Sequence, residues 1–129
     1  MKLQTITLVL LAVLSVQASC RQNQKSVPGC YKGRLEVKGL CQNYTIKVVS
    51  GTIDPALVQA KWTDETTGKE YENVFALGNP CVFPERLNAG DEFWFLIDNS
   101  GKQDCIRCMA FYPTPEKKLN IRIQSEPCQ

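Results

Sequence analysis

The chain has 129 residues, 43% of them hydrophobic and 22% charged, with a formal net charge of +2. This length supports one globular domain, and the near balance of charge argues against a nucleic-acid-binding protein, which needs a basic face. Histidine is absent, which excludes catalytic triads with an imidazole base and histidine-ligated metal sites. The seven cysteines are typical of an exported, disulfide-rich domain.

Residues 1–19 have the layout of a secretory signal peptide. Lys2 supplies the single charge, an apolar stretch follows over residues 6–16, and small residues end the segment. The apolar stretch is shorter than the roughly 20 residues that a membrane-spanning helix needs. We therefore predict that the chain is exported and that the signal peptide is removed.

The residues around Cys20 resemble a lipobox, the motif at which bacterial lipoproteins are cleaved and lipid-modified. Ala18 and Ser19 match the small residues that precede the modified cysteine in that family, whereas Gln17 stands where the family usually has an aliphatic residue. The resemblance covers these few residues and implies a small bacterial lipoprotein with lipid on Cys20, cleaved after Ser19. Cleavage after Ala18 also satisfies a signal peptidase and would instead release a soluble secreted chain.

Cysteine parity favours the lipid-modified form. An odd thiol in an exported chain is either reactive or paired with another molecule. If Cys20 carries lipid, an even set remains for disulfides: Cys30, Cys41, Cys81, Cys105, Cys108 and Cys128. Residues 20–29 are mostly polar and predict a tether, followed by one domain over residues 30–129. In the alternative, Cys20 joins a disulfide of a soluble secreted domain that acts as an inhibitor or ligand carrier.

From residue 31 onward, apolar and polar residues alternate with the period of two that is typical of strands. The predicted strands lie within residues 33–39, 43–51, 54–65, 70–77, 93–97, 105–113 and 118–124. Pro55 permits a helical turn at the start of the third segment, and Gly68 favours a hairpin turn after it. About seven short strands without a convincing helix predict an all-β domain. The expected architecture is a disulfide-stapled β-sandwich, with an OB-like small β-barrel as the alternative.

The positions of the cysteines restrict their pairing only slightly. Cys105 and Cys108 would point to opposite faces of a regular strand, so we expect them not to bond each other. Cys30 and Cys128 lie at the two ends of the domain and are predicted to staple the chain ends. A strand-like segment rather than a helix follows Cys108, which disfavours a thioredoxin-like site, and an oxidising compartment disfavours zinc.

The acidic residues do not predict a catalytic pair. Asp64 and Glu65 are sequence neighbours, as are Asp91 and Glu92, and neighbouring residues in a strand point to opposite faces. Two opposed carboxylates in a cleft, as a glycosidase needs, are therefore not expected. The sequence also lacks a phosphate-binding glycine motif. We predict that the protein is not an enzyme and has neither a cofactor nor a metal.

Binding is the remaining class of function. Trp62 and Tyr112 are the candidate residues for contact with a protein or glycan ligand, although aromatic residues in alternating strands more often pack in the core. The expected function is a non-catalytic, extracytoplasmic binding module. A lipid on Cys20 would hold it at a bacterial membrane.

Overall fold

The computed structural model describes residues 29–101 and 105–128, so the predicted signal peptide, Cys20 and the tether up to residue 28 lie outside the described residues. Within these ranges the chain forms seven strands and three short 3-10 helices. The strands are β1 Cys30–Lys38, β2 Tyr44–Ser50, β3 Gln59–Thr63, β4 Glu70–Leu77, β5 Glu92–Ile97, β6 Lys118–Leu119 and β7 Ile121–Gln124. The 3-10 helices are Leu40–Gln42, Pro55–Leu57 and Pro80–Val82. The predicted all-β class is confirmed.

Local sequence signals explain several of these elements. The Asp54 carboxylate accepts a hydrogen bond of 2.9 Å from the amide of Ala56, which caps the helical turn before β3. Gly68 adopts a φ of +71° in the turn that joins β3 to β4. The predicted strand at residues 105–113 is wrong, because this segment pairs with no strand. Two disulfides to other loops, rather than ladder hydrogen bonds, hold it in place.

The seven strands belong to a single sheet with the order β3-β4-β2-β1-β5-β7. β6 runs parallel to β4, and β7 runs antiparallel to β5. Because only Asn120 separates β6 from β7, this C-terminal segment joins the two strands and closes the sheet into a ring. β1, β2, β4, β5 and the β6–β7 segment give the ring five members, as in an OB-like barrel. Of the two predicted architectures, the pairings describe the barrel.

Asn79 forms hydrogen bonds with the C-terminal segment at the point where the barrel closes. Its side-chain amide donates to the carbonyl of Ile121 at 2.7 Å, and its side-chain oxygen accepts from the amide of Ile121 at 2.8 Å. The neighbouring Gly78 amide donates to the Leu119 carbonyl at 2.7 Å. A Cβ on Gly78 would collide with Asn120 Oδ1, so a glycine is needed where β4 approaches the C-terminal segment.

Aromatic side chains fill the interior of the barrel. Phe75 and Phe95 are completely buried, with 5.7 Å between their ring centroids. Gly33 in β1 makes room for them, because a Cβ at that position would lie 3.0 Å from the Phe95 ring. The full interior cluster comprises Tyr31, Leu35, Ile46, Val48, Val58, Phe75, Leu77, Phe83, Phe93, Phe95, Leu119 and Ile121.

Three disulfides staple the fold and use all six cysteines that were predicted for this purpose. The pairs are Cys30–Cys128, Cys41–Cys108 and Cys81–Cys105, with Cα–Cα distances of 5.8, 5.2 and 5.6 Å. The first pair joins the start of β1 to the C-terminal end, which confirms the predicted staple. Cys105 and Cys108 do not bond each other, as expected, although they lie in a loop rather than in a strand.

Candidate functional site

Trp62 and Tyr112, the two predicted ligand-binding residues, come together on the outside of the sheet. Both are partly buried and pack against a small cluster formed by Val37, Tyr71 and Val74. Trp62 stacks on Tyr71 with 5.7 Å between ring centroids and an angle of 26° between the rings. The two residues therefore share one cluster in which their rings contribute to packing, and their role in ligand binding stays a prediction.

Asp64 lies in the turn between β3 and β4 and is the one charged residue, among those described, that is almost completely buried. Its carboxylate accepts hydrogen bonds from the Thr66 amide at 2.9 Å and the Thr66 hydroxyl at 2.6 Å. The Tyr112 hydroxyl donates to it at 3.4 Å. Burial raises the pKa of Asp64, but the hydrogen bonds from Thr66, Thr67 and Tyr112 outweigh burial, so the pKa lies below its ordinary value. This carboxylate orders the turn and is unsuited to acid–base catalysis.

We expect Asp64→Asn to weaken the acid dependence of stability. Because the pKa of the folded state lies below the ordinary value of 3.8, ionised Asp64 stabilises the fold at higher pH, and this contribution is lost as the pH falls through the folded pKa. Urea unfolding between about pH 5 and pH 2 should show a shallower fall in the free energy of unfolding for the variant. Glu65→Gln, at an exposed neighbouring carboxylate, is the control. Equal slopes for wild type and Asp64→Asn would contradict the assignment.

A different surface is formed by three loops that two disulfides join. Cys41, after β1, bonds Cys108, and Cys81, after β4, bonds Cys105. Both partners lie in the segment between β5 and β6. We call residues 39–43, 79–83 and 105–111 the braced loops.

The braced loops carry all of the exposed large hydrophobic side chains among the described residues. These are Leu40, Val82, Ile106, Met109 and Phe111, with exposed fractions between 63% and 102%. The two bridges join the three loops, so the five side chains lie on connected parts of the surface. Exposed apolar side chains gathered in one place are a sign of an interaction site. Arg107, which is exposed, is the only charged residue in the three loops.

The backbone of the braced loops is held without regular secondary structure. The Asn43 side-chain amide donates to the Leu40 carbonyl at 2.8 Å and to the Ala110 carbonyl at 3.2 Å, which links two of the loops. Cys41 and Gln42 adopt positive φ values of 56° and 60°, a conformation that costs energy for residues other than glycine. The Cys41–Cys108 bridge and Asn43 hold this turn in shape, so the loops present a pre-organised surface.

The five apolar residues of the braced loops were not predicted as site residues from the sequence. The alternation over residues 105–113 predicted a strand, which would have placed part of this segment inside the sheet. A signal was nevertheless present, because Leu40, Val82, Ile106 and Met109 each lie next to a cysteine. The signal is weak, because Tyr31 also lies next to a disulfide-bonded cysteine and is buried.

A groove of about 430 Å³ adjoins the braced loops at Val82. Its other lining residues are Pro84, Arg86, Asp98, Ile121, Arg122, Ile123, Gln124 and Ser125. A hydrogen bond from the Ser100 amide is the main cause that lowers the pKa of Asp98. Asp98 therefore offsets part of the positive charge of Arg86 and Arg122. No group of three or more His, Cys, Asp or Glu side chains in the described residues could hold a metal ion.

No protein family, no curated protein and no solved structure matches the chain. The three disulfides indicate an extracytoplasmic location, since such bonds persist in oxidising compartments. Within residues 29–101 and 105–128, no helix is both long and apolar enough to cross a membrane.

Proposed function

We propose that the protein is a non-catalytic binding module that a lipid on Cys20 anchors to the outer face of a bacterial membrane. Cysteine pairing is the observation that supports this most directly. The six cysteines from Cys30 to Cys128 bond one another, so none of them is left to pair with Cys20. Together with the lipobox-like residues 17–20, this pairing favours lipid modification of Cys20 over a disulfide.

The braced loops are the binding surface of this module. They combine a pre-organised backbone with exposed apolar side chains and one exposed arginine, and they contain no carboxylate. Pre-organisation lowers the entropic cost of association, because the loops are already ordered before the partner arrives. The buried carboxylate of Asp64 lies elsewhere and is occupied by hydrogen bonds within its own turn.

Phase partitioning of the full-length chain, expressed in a bacterium that modifies lipoproteins, tests the anchor. We expect the wild type in the detergent phase and Cys20→Ala in the aqueous phase, because an acylated N-terminus buries its chains in the detergent. The intact mass of the wild type should exceed that of residues 20–129 by the mass of the acyl groups.

Ser19→Ala is the matched control, since it keeps Cys20 and a small residue before it, and it should partition like the wild type. An unmodified wild-type chain that begins at Ser19 or Cys20 and stays in the aqueous phase would contradict the anchor. That result would instead support the soluble secreted form, with an inhibitor or ligand-carrier role.

A further inference from the structure

We propose that the braced loops dock directly onto a membrane surface that carries anionic lipid. This inference extends the proposed function and rests on it, because the tether brings the loops to the membrane only if Cys20 is anchored there. The lipid on Cys20 would be one contact with the bilayer, and the braced loops a second one. The acyl groups on Cys20 would hold the chain at the membrane, and the second contact would fix how the domain is oriented on it.

The shape of the surface favours a lipid interface over a protein groove. Ile106, Met109 and Phe111 are 102%, 96% and 86% exposed, so each side chain projects singly into solvent instead of packing against its neighbours. Such projecting side chains suit the boundary between headgroups and acyl chains, where each one buries its apolar surface independently.

Charge complementarity identifies the kind of lipid. Arg107 lies in the middle of the Cys105–Cys108 stretch, and no Asp or Glu occurs in the braced loops. Lys38 lies immediately before them, and its side chain bonds the Glu85 carbonyl at 2.9 Å and Asn88 Oδ1 at 3.3 Å. The charged residues that flank the loops in the sequence are of both signs, namely Lys38, Glu85, Arg86 and Asp104, and their formal charges cancel. Arg107 therefore leaves this apolar surface with one net positive charge, which fits the negative potential of anionic headgroups.

The backbone of the braced loops limits how deeply they can enter the bilayer. Residues 106–115 pair with no strand and form no helix. The Ala110 carbonyl accepts from the Asn43 side chain, but backbone groups outside helices and strands mostly need water or polar headgroups as partners. Unpaired backbone groups are too costly to place in the hydrocarbon core. The loops therefore insert side chains only, and the contact is confined to the interfacial region.

The tether is long enough for the loops to reach the membrane that holds the anchor. β1 runs from Cys30 to Lys38, which is about 26 Å at the usual rise of a strand. Leu40 thus lies beyond the end of β1 that is opposite to the tether. Residues 20–30 span at most about 35 Å when fully extended. An anchored Cys20 consequently leaves enough chain for the domain to tilt over and rest on the braced loops.

Vesicle sedimentation of the exported Cys20→Ala chain tests the proposal without the lipid anchor. One set of vesicles contains phosphatidylcholine alone, and the other also contains phosphatidylglycerol. We expect co-sedimentation with the anionic vesicles that weakens as salt is raised. The double variant Ile106→Ser/Phe111→Ser and the single variant Arg107→Glu should each lower the bound fraction several-fold. Lys61→Glu, the same charge change on exposed β3, should bind like its parent.

Failure to sediment with either vesicle would overturn the proposal, as would binding that the loop variants leave unchanged. Self-association in sedimentation velocity, abolished by Ile106→Ser/Phe111→Ser in the absence of lipid, would assign the surface to a second copy of the chain and also overturn it. The altered side chains are exposed, so the variants should unfold at the parent temperature, which circular dichroism checks. Because the test chain lacks lipid, failure of docking is distinguishable from failure of the anchor.

Discussion

Replacing Phe95 with alanine is expected to lower the free energy of unfolding by about 3–5 kcal/mol. Phe95 is completely buried, and its ring centroid lies 5.4 Å from that of Tyr31 and 5.7 Å from that of Phe75. The substitution would open a cavity in the middle of the barrel. Gly33, which faces the ring, has no side chain that could move in to fill it.

Urea unfolding followed by circular dichroism measures this effect, and Phe111→Ala is the matched control. The control removes the same atoms from a side chain that is 86% exposed, so we expect a change within about 0.5 kcal/mol. The same two variants also separate stability from binding, since only Phe111 belongs to the braced loops. Similar losses of stability in both variants would contradict the interior position of Phe95.

Removal of the Cys30–Cys128 bridge by substituting both cysteines with serine should destabilise the domain by about 3–4 kcal/mol. The bridge closes a separation of 98 residues, and its main effect is to restrict the unfolded chain. The Cys41–Cys108 bridge shortens the path between the two ends to about 30 residues, so the loss is smaller than the roughly 4.7 kcal/mol of an isolated loop of that length.

The variant Cys81→Ser/Cys105→Ser is the informative comparison for the terminal bridge. The bridge that this variant lacks closes 24 residues. We expect its removal to lower the free energy of unfolding by an amount similar to that for the terminal bridge. In the Cys20→Ala chain, this variant should also release one of the braced loops and so reduce sedimentation with anionic vesicles. Loss of the terminal bridge should not reduce sedimentation while the domain stays folded. An unfolding midpoint of the terminal variant equal to that of the wild type would contradict a stabilising role of the Cys30–Cys128 bridge.

Patterns of residues along the chain were sufficient to predict the local elements of the fold. Alternation over residues 33–39 and 43–51 predicted β1 and β2, and Pro55 and Gly68 predicted the turns on either side of β3. These predictions succeeded because each depends on neighbouring residues only: the side-chain period of a strand, the fixed φ of proline and the freedom of glycine at positive φ. The six cysteines that form disulfides were predicted from the even number that remains once Cys20 is set aside, and this step requires no knowledge of the structure.

What those elements enclose and what they expose depends on contacts between residues that are distant in the sequence. Alternating strands satisfy two stacked sheets or a closed ring equally well, and the choice depended on contacts between distant residues, such as Asn79 with Ile121. Pairing of the cysteines likewise depended on which loops meet in space. Residues 105–113, which two bridges join to other loops, pair with no strand, and Ile106, Met109 and Phe111 are exposed. Local periodicity describes the faces of a strand, but it carries no information on whether a neighbouring strand is there to cover them.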